Sequence, residues 1–312
     1  MITKNNDINN KNKIKFIVNS AVLAGVLEAS SFKPGNVNPS HNFKNTRYEH
    51  FLSGSIALGS AIKNAATARC EIGKYILQGV SDIKKSHNGG NTHLGILMLF
   101  VPVASAAGLC LLQDDLKFKR LRKNTLKILN STTPDDAVNL CNAINLAGAG
   151  GMGKKCEFDL DNENLNSELI ENNITFYDLM KLSAKRDRIA EELTTGANIS
   201  FEHAELILKI YNNSHNRDKD IFPAIVQTYL IILSKFPDTL IARKRGIDAA
   251  TEVSNKAQEV INYGGVFTEK GRIEIKILDE YLRSDGNSLN PGTTADIVAA
   301  SLFIAILKGL KI

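Results

Sequence analysis

Tryptophan is absent from this chain, and aromatic residues make up only 6% of its 312 positions. A nucleic-acid platform built on base stacking needs such rings at its surface, so that class of function is not indicated. The four cysteines, Cys70, Cys110, Cys141 and Cys156, form no CxxC pair and stand at no zinc-ligand spacing with histidine. Neither a zinc knuckle nor a disulfide scaffold is therefore expected. Three of the four lie in apolar helical patterns, where a thiol behaves as a small hydrophobe, and the expected setting is a reducing cytoplasm. A long basic stripe is also missing: 38 Lys and Arg are mixed with 33 Asp and Glu, for a net charge of +5. So mild an excess suits small anionic ligands better than a duplex. The opening residues, MITKNNDINNKNK, lack the apolar core of a signal peptide, and residues 1–12 are expected to be a disordered polar tail.

What is present is helical. Hydrophobic content of 43% with 23% charged residues is the profile of a globular protein with a substantial core. Ile14, Ile17, Val18, Ala21, Val22 and Gly25 recur at spacings of three and four, which predicts a helix from about Lys13 to Ser30. A second is expected from about Thr46 to Cys70. In TTPDDAVNLCNAINLAGAGG, Thr133 is placed to cap a helix, Pro134 to open it and Asp135 and Asp136 to complement its dipole. Further helices are expected from Thr175, from Ser200, over Phe222 to Leu233 and over Asp248 to Asn262. The acidic stretch from Cys156 to Asn173 reads as an exposed excursion. One segment dissents, RIEIKILDEYL, where Ile273, Ile275 and Ile277 alternate as in a strand. An isolated strand has no partner to bond, and helix or loop is expected there. There is no 20–50-residue repeat and no low-complexity linker. The expected fold is all-α, a single compact multi-helix domain over residues 13–312 with buried central helices.

The run from Leu94 to Leu112 is almost uninterruptedly apolar and long enough to cross a bilayer. Pro102, Ser105 and Gly108 interrupt it, however, and a helix apolar on every side also marks the centre of a large helical protein. The buried reading is preferred, with no membrane partner.

Chemistry in such a fold belongs to polar loops at helix ends. Three stand out: SSFKPGNVNPSHNF with Lys33, Asn36, Ser40 and His41; GGNTHLG over residues 89–95; and NPGTTAD over residues 290–296. The second and third put glycine and small hydroxyl or amide residues directly before a buried helix. Glycine lets a ligand approach the backbone, and unpaired amides at a helix start attract anions. Together the three loops suggest a nucleotide or polyphosphate; taken singly, each reads more readily as an ordinary helix cap. The Walker pattern is absent, and GAGGMGKK (148–155) follows a helix rather than a strand.

KPGNVNPSH, GGNTHLG, PDTLIARKRG (237–246) and NPGTTADIVAASL, in that order, resemble the motifs of the triphosphoribosyl-dephospho-CoA synthase family. The GGNTH and PG-x-x-AD elements are the most specific. The resemblance implies an all-helical transferase that joins the triphosphoribosyl group of ATP to a ribose hydroxyl of 3′-dephospho-CoA or a related acceptor and releases adenine. It also implies Mg²⁺ on the triphosphate. By this resemblance Lys33, Gly35, Asn36, His41, Gly90, Asn91, Thr92, Gly95, Arg243, Asn290, Gly292 and Thr294 would bind the nucleotide. Gly246, Pro291 and Ala295 match the same motifs. The bacterial branch's Arg-Gly-Glu-Ala motif is missing, with SAKRDRIAEELTTG (183–196) at a similar place, and the chain is closer to the archaeal branch.

Displacement at C1′ of ATP develops oxocarbenium character, so carboxylates belong nearby, one of them as base on the attacking hydroxyl. Glu28, Asp238 and Asp296 are the candidates, with His93 as acid to the leaving adenine. Asp296 is also placed to complete a helix cap. Lys33, Arg243, Lys244 and Arg245 could neutralise phosphates, with a surface role preferred for Lys244. Arg188, Glu191 and Glu192 fit a solvated helix face as well as they fit metal binding, and no metal ligands are assigned. Two other readings stay open, a nucleotide hydrolase and a non-enzymatic helical nucleotide sensor. The expected partners are small nucleotides and no nucleic acid, with a homo-oligomer left open.

Overall fold

The computed structural model describes residues 2–112, 116–148, 164–213 and 220–312. Helix α1 (Ile2–Ser30) is followed by α2 (Tyr48–Ala57), α3 (Gly59–Ala68), α4 (Ile72–Ser86) and α5 (Leu94–Leu111). Then come α6 (Phe118–Asn130), α7 (Pro134–Ala147), α8 (Leu165–Glu171), α9 (Phe176–Ser183), α10 (Arg188–Thr195) and α11 (Asn198–Asn213). The chain closes with α12 (Phe222–Lys235), α13 (Thr239–Arg245), α14 (Ile247–Asn262), α15 (Glu269–Arg283) and α16 (Gly292–Leu307). Among the described residues there is no strand, only an isolated bridge between Asn38 and His41.

Several boundaries depart from the sequence expectation for identifiable reasons. Helix α1 begins at Ile2, not near Lys13, so the polar stretch expected to be a tail continues the helix; adding residues to an existing helix needs no new nucleus. The expected helix from Thr46 to Cys70 is broken at Leu58 into α2 and α3. Gly and Ser are crowded around that point, and such pairs kink helices. The segment with alternating isoleucines is the helix α15. Its working period is Ile275, Leu278 and Leu282, which face the core, whereas Ile273 and Ile277 are exposed. Helix α11 starts at Asn198, and Ser200 lies inside it; the amides of Ile199 and Ser200 are capped by the Glu192 carboxylate of α10, at 2.7 and 2.8 Å. Part of the expected excursion after Cys156 is α8, which buries Leu165 and Leu169. The Thr133–Asp136 and Thr175–Asp178 capping boxes form as the sequence suggests, and Gly148 ends α7 in the left-handed region. Cys70 is exposed and lies beyond α3, while Cys110 and Cys141 are buried in helices; Cys156 lies outside the described residues.

Helices α5 and α16 form the centre. Helix α5 is long and apolar enough to span a bilayer, yet 83% of it is buried within the protein. It packs against α3, α4, α6 and α16, and α16 in turn packs against α1, α11 and α12. Phe100 of α5 and Phe303 of α16 meet with ring centroids 4.8 Å apart, a geometry that adds to simple burial. Helix α5 comes so close to α3 that a methyl at Gly108 would overlap the Ala66 carbonyl oxygen, while Ser105 donates to the Ala65 carbonyl at 3.1 Å. Replacing Gly108 by alanine is therefore expected to force the two helices apart and cost about 1–3 kcal/mol. Urea denaturation would read this as a lower midpoint at unchanged slope.

Candidate active site between two apolar helices

The two loops singled out as ligand loops open onto one space. The starts of α5 and α16 lie side by side at the wall of a cavity of about 730 Å³, within the range of small-molecule sites. Gly90, Asn91, Thr92, Leu94 and Gly95 line it from α5, and Asn290, Gly292, Thr293, Ala295 and Asp296 from α16. Glu28, Asn36, Arg186, Asp187, Arg243 and Lys244 add polar groups from α1, the first loop, the approach to α10 and the last turn of α13. Asn91 accepts the Leu94 amide at 3.1 Å, so it caps α5 while its amide NH₂ stays at the exposed lip. Gly95 sets the approach of the helices, because any Cβ there would overlap the Asp296 carboxylate.

The candidate acids divide by environment. Asp238 is 2% exposed, outside the cavity lining, and fully committed: one oxygen accepts from the amides of Leu240 (2.9 Å) and Ile241 (3.2 Å), the other from the Thr294 amide (2.7 Å) and hydroxyl (2.8 Å). It ties the start of α13 to the start of α16 and is not placed as a base. Thr294 is likewise spent on this clamp, not on the cavity. Glu28 lines the cavity but is paired with Lys33 at 3.0 Å. Asp296 makes no hydrogen bond among the described residues. Burial, followed by the charges of Glu28, Asp238 and Asp187, holds its carboxyl well above the usual carboxylate range, with Arg243 opposing. Among the described residues, the one uncommitted carboxyl in the cavity is therefore also one that holds its proton unusually well.

The expected cations divide too. Lys33 is 1% exposed and outside the lining; besides Glu28 it bonds the Glu28 and Ser31 carbonyls that α1 leaves open. It fastens the end of α1 and cannot reach a phosphate. Arg243 lines the cavity and is ion-paired with Asp187, the N-cap of α10. Lys244, expected at the surface, also lines the cavity and donates to the Asn287 carbonyl at 3.0 Å. Arg245 pairs with Asp285 away from it. Asp187 and Arg186 were not candidates from the sequence; an Asp capping a helix directly after KR was the available signal.

In the first loop, Asn36 lines the cavity and bonds Tyr229 and Asn290, both at 3.0 Å. Gly35 is held behind it: its φ of +74° is in the region glycine favours, and its amide donates to Asp279 at 2.7 Å. His41 is exposed, pairs its backbone with Asn38 and does not reach the cavity. Glu192 is buried as the cap of α11, which removes it from metal binding. No three His, Cys, Asp or Glu side chains among the described residues group to hold a metal ion.

His93 is not placed to protonate adenine. It is buried behind Thr92, against Phe51. The Gly89 amide donates to His87 Nδ1 at 3.1 Å, so the proton of neutral His87 is on Nε2 and is given to Thr92 Oγ1, at 3.2 Å. Ser55 spends its own proton on the Phe51 carbonyl. His93 Nε2 must then donate to Ser55 at 3.0 Å, and Nδ1 accepts from Thr92 at 2.7 Å. The result is a one-way chain, His87 to Thr92 to His93 to Ser55, that fixes the loop carrying Gly90 and Asn91. Burial first, then His87, pushes the His93 pKa down to about 3 from 6.5. Between those values the unfolded chain takes up a proton that the folded protein refuses, so stability falls as the pH drops through that window. His93→Gln is expected to flatten the pH dependence of the unfolding free energy between pH 6 and 4 by about 1.4 kcal/mol per pH unit, measured by urea titrations across that range.

Comparison with known proteins bears on the whole chain. A crystal structure from Archaeoglobus fulgidus, assigned as a triphosphoribosyl-dephospho-CoA synthase, superposes with a TM-score of 0.65 at 28% identity, covering 83% of this chain and all of that one. Proteins assigned as 2-(5″-triphosphoribosyl)-3′-dephosphocoenzyme-A synthase match locally. The one from Salmonella typhi is 29% identical over 98 residues, 31% of this chain, and the one from Pseudomonas syringae pv. syringae is 33% identical over 81 residues, 26% of it. Those alignments span 32% and 27% of the relatives' own lengths. The model of one family, CitG, described as ATP:dephospho-CoA triphosphoribosyl transferase, matches residues 14–311, and the chain belongs to that family.

Proposed function

We propose that the chain transfers the triphosphoribosyl group of ATP to a ribose hydroxyl of 3′-dephospho-CoA or a related acceptor and releases adenine. The observation that carries this reading is the uncommitted carboxyl of Asp296 in a cavity that also holds Arg243, Lys244 and the starts of α5 and α16. The cations, beside the positive ends of two helix dipoles, suit a triphosphate. The carboxyls of Asp296, Glu28 and Asp187 suit the positive charge that develops at the ribose C1′. Mg²⁺ would arrive with the nucleotide, its ligands drawn largely from phosphate and water.

In the reaction the bond between C1′ and adenine N9 breaks as the bond from C1′ to the acceptor oxygen forms. Asp296 takes the hydroxyl proton in its ionised form, and across the whole reaction that proton ends on adenine, so none is released. A base whose pKa is raised serves this step better than an ordinary carboxylate. The activity is expected to fall as the pH drops through that raised value, because the base must be ionised. The cytoplasm is the proposed compartment, in keeping with Cys70, Cys110 and Cys141 outside any disulfide.

Free adenine, measured with ATP and Mg²⁺ in the presence and absence of dephospho-CoA, tests the reading. Release that depends on the acceptor supports transfer, release without it indicates a hydrolase, and binding without turnover indicates a sensor. Asp296→Asn is expected to lower kcat by about 10²–10⁴-fold with KM for ATP little changed. Gly95→Ala, which displaces the same carboxylate from the α5 side, is expected to lower kcat in the same direction while the far-ultraviolet circular dichroism stays helical. Normal turnover in both variants would overturn the assignment of Asp296.

A further inference from the structure

The polar groups do not surround the cavity. One wall, from α7 and α9, brings Leu140, Cys141, Ile144, Leu179, Met180 and Leu182, and Ile189 of α10 continues it. Along this wall the lining has no charged or amide side chain before Ser183 and Arg186. On α7 the residues fall at positions i, i+1 and i+4, a single helix face. Helices α7 and α9 are fastened to each other, since the Phe176 amide donates to the Thr133 carbonyl at 3.3 Å and the Tyr177 amide to the Thr132 hydroxyl at 3.1 Å. The wall is thus a built surface. Apolar faces in a protein interior ordinarily close on one another without voids, and an open apolar wall in a ligand-sized cavity marks a place where apolar ligand surface belongs.

We infer that this α7–α9 wall is the subsite that receives the aliphatic arm of the acceptor. This rests on the transferase reading and narrows it. The triphosphoribosyl donor is polar from end to end apart from adenine, and its charged part is matched by Arg243, Lys244 and the helix starts, which line the same cavity. Of the two substrates, the acceptor with a pantetheine arm is the one that brings methyl and methylene groups in need of cover. Ile144 is half-buried and Leu182 is exposed, which leaves carbon surface for the arm to cover, and Cys141, buried from bulk solvent but lining the same wall, is the reporter thiol.

The test uses the whole protein with two probes, dephospho-CoA and ADP, the second lacking the arm. Calorimetry fixes the occupancy of each, and peptide-resolved mass spectrometry follows alkylation of Cys141 by N-ethylmaleimide. Saturating dephospho-CoA is expected to slow Cys141 alkylation at least about tenfold, and ADP at matched occupancy less than about twofold, since only the arm covers the apolar wall. Ile144→Ser is expected to raise the Kd for dephospho-CoA about tenfold and leave that for ADP unchanged. Dephospho-CoA that binds but leaves Cys141 as reactive as in the free protein, or ADP that protects it equally, would overturn the subsite while the transferase reading stands. Failure of dephospho-CoA to bind at all would overturn the subsite and, with it, dephospho-CoA as the acceptor.

Discussion

The close packing of α5 on α16 is the constraint on which the rest depends. Both helices are apolar on all sides, so each needs cover from every direction, and each supplies part of the other's. Near their N-termini the contact is tightest, with Gly95 against Asp296, and deeper in the core it is carried by Phe100 on Phe303. Helix ends held by this much buried surface cannot shift independently. The two helix starts and one carboxyl are therefore fixed relative to each other before any ligand arrives. Preorganisation of that kind is what transition-state electrostatics requires.

Around this pair, residues of one chemical type take opposite roles according to their surroundings. Asp238 is buried and Asp296 half-buried at the cavity, and desolvation raises both pKa values. Asp238 receives four hydrogen bonds that offset part of that cost, and it serves as a clamp. Asp296 receives none among the described residues, and it lines the cavity. Lys33 and Arg243 divide in the same way. The first is spent on Glu28 and the open carbonyls of α1, and the second is held at the cavity by Asp187. A group is available to a substrate only to the extent that the fold has not already used it.

This explains what was legible in the sequence. Caps, glycine-bearing loops and apolar helices are encoded locally, so the all-α fold, the α7 start at Thr133 and the two ligand loops could be read directly. Asn36, Gly90, Asn91, Thr92, Gly95, Asn290, Gly292 and Asp296 do meet at the cavity. Whether a polar side chain faces a ligand or a hidden partner is decided by contacts between distant segments. Lys33, His93 and Asp238 have the residue types of a site, yet Glu28, Ser55 and Thr294 consume them. Asp187 has the look of an ordinary helix cap and comes to the cavity only because α10 packs beside α5 and α16. The break at Leu58 was hidden for a similar reason: the alanine-rich pattern continues through it, and only packing shows that two helices are present.

The mutual cover of α5 and α16 also has a meaning in time. Roughly 180 residues separate the end of α5 from the start of α16. At a synthesis rate of about 5–20 residues per second, the ribosome takes about 10–40 s to make that stretch. For that interval the emerging chain carries an 18-residue apolar helix without the neighbour that shields one of its sides, and the ligand loop ahead of it has no opposite wall. The nascent protein is thus dependent on temporary cover of α5, and the site comes into being only when α16 docks.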